Sequence, residues 1–218
     1  MLNLLSKDLI LTTKFNVFIL LYLAVISFWG ATTPMLSSLI YIIMIVLTVY
    51  IFSLYSNGYE DKNNSYIMLN SLPLNRAQIV LSKYFSLLIY TLVGCSLLII
   101  LTRIYPLLGF NLKGRPANLT DCTVAFIIIC IGFSFYYPVY FKFGGDKLRF
   151  FNTSVYLTLI LLPTLIKKVI SFDKFMSFTK WISTFNLDVI KIIFLLISIS
   201  LLILSSFVSV VVFGRRDL

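Results

Sequence analysis

Histidine is absent from the 218 residues, and Asp and Glu together number only eight. The three cysteines, Cys95, Cys122 and Cys130, lie within or at the ends of apolar runs and form no CxxC pair. A transition-metal centre therefore has almost no ligands to draw on, and a buried small hydrophobe is the expected role of each thiol. Asp8, Glu60, Asp61, Asp121, Asp146, Asp173, Asp188 and Asp217 all fall in loops or at the ends of apolar runs, never in the middle. Proton- or sodium-driven carriers usually bury ionisable groups near the membrane midplane, so this inventory argues against them. An intramembrane hydrolase needs a nucleophile with a base, or a metal with its ligands, and the chain offers neither set. No GxxxxGK[ST] segment occurs, so ATP cannot be cradled by a P-loop. If the chain transports something, the energy must come from another polypeptide.

What the chain has is apolar length. Hydrophobic residues make up 60% of it, charged residues 12%, and the mean hydropathy is +0.99. A hydrocarbon core of roughly 30 Å needs about 20 apolar residues per helix. Six segments reach or approach that length: Phe15–Ala31, Met35–Tyr55, Ala77–Tyr105, Cys122–Phe141, Thr153–Ile166 and Val189–Phe213. The fifth is short and carries Pro163. The expected fold is an all-α membrane protein, one transmembrane domain over residues 1–218.

Residues 1–14 put Leu2, Leu5 and Leu9 on one helical face, which predicts an interfacial elbow helix before the first span. Trp29 stands where signal cleavage would need a small residue, so the first apolar run is expected to be retained. In Lys167–Leu187, the residues Phe175, Phe178, Ile182 and Phe185 recur at spacings of three and four beside Trp181. That pattern predicts an amphipathic helix at an interface, or one dipping back into the membrane. Lys83 and Arg103, near opposite ends of the third span, either snorkel to water or contact a substrate.

The formal net charge of +10 does not point to nucleic acid, because the basic residues are scattered over loops and helix ends. Orientation and anionic lipid headgroups explain such a pattern. Ten of the eighteen fall on the side of the termini and of the two polar links, Tyr55–Arg76 and Lys142–Asn152. The positive-inside rule then favours cytoplasmic termini.

The link Tyr55–Arg76 is more structured than a turn requires. It contains Gly58, the charged set Glu60, Asp61 and Lys62, an amphipathic piece Ser65–Asn70, and Pro73. Asn75 can cap the next helix while Gln78 reaches back to the cap N–H. We read it as a short helix lying across the membrane face and presented to a partner.

Two blocks carry a family resemblance. One comprises Glu60-Asp61-Lys62-Asn63, Leu69-Asn70-Ser71-Leu72-Pro73-Leu74-Asn75-Arg76 and Ile79-Val80-Leu81-Ser82-Lys83-Tyr84. The other is Pro138-Val139-Tyr140-Phe141-Lys142-Phe143-Gly144, with Lys147 and Arg149. With the overall layout, they resemble the small six-span permease subunits of ABC-2-type exporters. The permeases of the staphylococcal phenol-soluble modulin exporter are similar in size and layout. The resemblance implies a cytoplasmic coupling helix between spans two and three, within Glu60–Asn70. Glu60, Asp61, Lys62, Asn63, Tyr66 and Met68 would meet a separate ATPase subunit that holds ATP and Mg, with no cofactor in this chain. It implies an outer gate in Phe172–Phe185, formed by Phe175, Phe178, Trp181, Ile182 and Phe185. It also implies a second permease, identical or paralogous, and a bacterial plasma membrane with cytoplasmic termini. The 20 Phe and 13 Tyr would suit an amphipathic peptide or other hydrophobic cargo, although aromatics also pack helices and mark interfaces. The alternative is a non-transporting membrane scaffold or a regulatory or immunity subunit, which needs no pathway.

Overall fold

A computed structural model describes residues 5–7, 16–34, 36–62, 75–110, 113–144 and 187–215. All regular structure among these residues is helical, as a bilayer demands of a chain that must satisfy its own backbone. The helices are α1 (Asn16–Thr32), α2 (Ser37–Lys62), α3 (Arg76–Leu107), α4 (Leu119–Phe143) and α5 (Leu187–Gly214). Four of them, all but α1, are long and apolar enough to cross a membrane, and α1 is a shorter apolar helix. They coincide with five of the six expected spans. The fifth span and the whole of Lys167–Leu187 lie outside the described residues. Of the expected elbow, residues 5–7 are described, and they are helical.

The helices run longer than their apolar cores. At 1.5 Å per residue α3 is roughly 48 Å long, well beyond the hydrocarbon thickness. α2 does not stop at Tyr55, as its hydropathy suggested, but continues through Gly58 to Lys62. Its buried stripe changes character on the way. Tyr41, Met44, Ile45, Val49 and Phe52 are followed by Ser53, Ser56, Asn57 and Glu60, all buried.

α4 packs most extensively on α5. Pro138 lies inside α4 and has no N–H, so the carbonyl four residues back, on Ser134, loses its helical donor. Ser205 of α5 supplies the replacement, its Oγ donating to the Ser134 carbonyl at 2.7 Å. With that proton committed, the Tyr84 hydroxyl of α3 donates to Ser205 Oγ at 2.8 Å and accepts from Ser209 Oγ at 2.9 Å. A single directional chain of hydroxyls thus joins α3, α4 and α5. Ser205→Ala is expected to cost about 1 kcal/mol, because it orphans a buried carbonyl in an apolar surround. In a Pro138→Ala background the peptide N–H returns, and that cost should fall by at least half. A thermal double-mutant cycle on the purified protein measures it, and full additivity would contradict the assignment.

At the opposite end the α3–α4 loop is folded back onto the α1–α2 turn. Gly114 N–H donates to the Ala31 carbonyl at 2.8 Å, and Tyr41 donates to the Arg115 carbonyl at 2.9 Å. Arg115 pairs with Asp121 at 2.7 Å and reaches Ser38 at 2.5 Å. The cap of α4 is Asn118, two residues before Thr120 and three before Asp121, the two cap candidates in the sequence. Asp121 acts from the third helical position, accepting the Asn118 N–H at 3.1 Å. Asn75 does occupy the N-cap of α3, but without a side-chain capping bond.

Candidate functional site

The end of the bundle where α2 stops, α3 starts, and α4 and α5 terminate carries a buried charge cluster. Ser53, Asn57 and Glu60 are spaced four and three apart, so α2 places them on one face, one above the other. Glu60 is 1% exposed and Lys83 of α3 is 4% exposed, values that take both charges out of water. Lys83 Nζ lies 2.9 Å from Glu60 Oε1 and donates to Ser56 Oγ at 3.0 Å. The same carboxylate oxygen also accepts from Lys7 Nζ, which brings the N-terminal segment to this end. Tyr137 of α4 donates to the Lys83 carbonyl at 3.2 Å.

Aromatic rings close the cluster off. Tyr84 and Tyr137 pack with centroids 4.7 Å apart, and Tyr137 meets Phe141, which packs edge-on against Tyr140 and Phe213 of α5. Such surroundings strengthen each Coulomb contact and raise the cost of any unpaired polar atom. Three such atoms are present. Ser53 Oγ, Asn57 Nδ2 and Glu60 Oε2 are buried and meet no hydrogen-bond partner among the described residues. Beside the cluster, Arg76 at the start of α3 donates to the carbonyls of Phe213 and Gly214, at 3.3 and 2.9 Å. It thereby fills two of the orphan acceptors at the C-terminal end of α5 with a cation, as the helix dipole favours.

The sequence-predicted coupling residues separate in this geometry. Glu60 is inside the bundle, Lys62 is exposed at the end of α2, and Asp61 lies between them with its backbone alone described. Asn63, Tyr66 and Met68 fall outside the described residues, as do the expected gate residues Phe175, Phe178, Trp181, Ile182 and Phe185. Lys83 does not snorkel to water, being buried. Its ammonium is held by Glu60 and Ser56, because the helix face carrying it is turned toward α2 and α4. The spacing Ser53–Asn57–Glu60 is a sequence signal of a polar helix face, one that a link beginning at Tyr55 cuts in two. Among the described residues no group of His, Cys, Asp and Glu could hold a metal ion. Cys122 and Cys130 are buried in the core and Cys95 packs against it, in keeping with a packing role.

No curated protein and no solved structure matches the chain. A family model described as ABC-2 family transporter protein matches residues 3–214, nearly the whole length. The apolar helices, the helix-ended polar link and this match agree, and the chain belongs to the ABC-2 transporter family, as one of its membrane components.

Proposed function

We propose that the chain is the permease subunit of an ATP-driven exporter in a bacterial plasma membrane, with cytoplasmic termini. The observation that carries this reading is the family match over residues 3–214, in a chain with no P-loop of its own. A second permease, identical or paralogous, completes the pathway, and separate ATPase subunits bind ATP and Mg. Helix faces rich in exposed apolar residues support contact with lipid or a second subunit, notably Leu196, Leu204 and Phe207 of α5. An amphipathic peptide or another hydrophobic compound is the cargo class that suits such spans. The coupling element is the segment that follows Glu60, up to Asn70, docking on the ATPase. Hydrolysis moves that segment and rocks the helices between inward- and outward-open states.

The test is a detergent pulldown of the tagged chain from its native membrane, with partners identified by mass spectrometry. An ATP-binding protein should be recovered, and its yield should fall at least fivefold when Lys62→Glu is combined with Asn63→Asp. Recovery of an intact complex without any ATPase would favour the scaffold or immunity reading instead.

A further inference from the structure

We propose that Glu60 is an internal positioning residue, which ties the N-terminal segment, the end of α2 and the start of α3 into one moving unit. This rests on the transport reading above, and it reassigns Glu60 from the docking surface to the transmission behind it. A docking residue must reach a partner, whereas Glu60 is 1% exposed and its side chain is turned inward. Its Oε1 is shared by Lys83 of α3 and by Lys7, residues far apart in the chain. Glu60 also sits two residues before the end of α2, where the polar link to α3 begins. A displacement of that link therefore acts on Glu60 first, and through it on both lysines.

The unfilled atoms make the tie adjustable. Glu60 Oε2 is an acceptor, Asn57 Nδ2 a donor and Ser53 Oγ both, all on one face of α2. A small turn or slide of the α2 end carries these three atoms together past the facing helices, where each has capacity to take up a partner. The two lysines differ as well. Lys83 is enclosed, with 5% of its side chain exposed, and holds Ser56 in addition. Lys7 is 34% exposed, and water can take its place. Lys83 is thus the permanent partner and Lys7 the releasable one.

The experiment uses the purified complex with its ATPase in lipid nanodiscs. Leu108→Cys, at the far end of α3, reports the distant response through labelling by a membrane-impermeant maleimide, with and without ATP and orthovanadate. In the otherwise wild-type complex the labelling rate should change severalfold on nucleotide trapping. Glu60→Gln should abolish that change while retaining the ATPase within twofold of wild type. The exchange Glu60→Lys with Lys83→Glu should restore at least half of the response. Loss of the ATPase from Glu60→Gln at an unchanged unfolding temperature would overturn the proposal, since Glu60 would then be a docking contact. If the wild-type chain recovers no ATPase, the transport reading fails. The tie itself is then judged on the chain alone, from a thermal cycle of Glu60→Gln and Lys83→Met. Strong non-additivity supports it, and additive losses sink it.

Discussion

Lys83→Met lowers the unfolding free energy of the purified chain by about 3 kcal/mol, the low end for breaking a buried ion pair from one side. The variant leaves the Glu60 carboxylate inside the bundle with Lys7 as its cation among the described residues, and removes one donor from Ser56. Lys7→Met removes a contact to the same oxygen and yet should cost less than about 1 kcal/mol, because a partly exposed pair gains little over solvated charges. The contrast reports burial together with the Ser56 bond, since both substitutions remove one ammonium from the same carboxylate. Unfolding in mixed micelles, followed by tryptophan fluorescence, gives both values under one condition. Equal losses would mean that Lys83 is as wet as Lys7, and the cluster would cease to be a buried site.

The membrane helices were legible because hydropathy and length are local properties. Four long apolar helices and the shorter α1 fall where apolar runs occur, with ends shifted by a few residues. The largest shift is at α2, and it has a physical cause. Gly58 and the charges that follow read as the opening of a link, since glycine costs a helix about 1 kcal/mol. The buried contacts of Glu60, two residues before the observed end, hold those residues helical all the same. Such contacts are tertiary. Lys7 lies 53 residues from Glu60, and nothing local in either segment announces the pairing.

The candidate site was legible in part. Glu60, Asp61 and Lys62 stood out as charges beside an apolar run, and their place at one end of the bundle follows from that alone. The burial of Glu60 did not, because a charge near a membrane edge defaults to water unless helix faces are tracked beyond the apolar stretch. Tracking Ser53, Asn57 and Glu60 as one stripe would have placed Glu60 inward and left Lys62 outward. Lys83 was open to two readings for the same reason, its helix face being decided by neighbours rather than by its own sequence. Pro138 shows the reverse case. Its missing N–H is legible from the residue type alone, whereas Ser205 as the donor that answers it could come only from the packing of α5.

Gly114→Ala should lower the unfolding free energy by about 2–3 kcal/mol, a severe loss for one added methyl group. Sequence alone marks Gly114 as a loop residue, a breaker between spans, with no reason to resist alanine. In the folded chain a Cβ there would lie 2.5 Å from the Ala31 carbonyl oxygen, 2.9 Å from its carbon and 3.0 Å from the Gly30 oxygen. These are backbone atoms at the end of a helix and cannot rotate aside as a side chain could. The loop must lift instead, which strains the Gly114 N–H bond to Ala31 and the neighbouring Tyr41 bond to the Arg115 carbonyl. Tyr41 is fully buried, so its hydroxyl would be left without that acceptor in an apolar surround. Gly132→Ala is the matched control: it sits in α4 with open space around the would-be Cβ, and should be neutral or slightly stabilising. If Gly114→Ala unfolds with Gly132→Ala, the loop is not seated on Ala31.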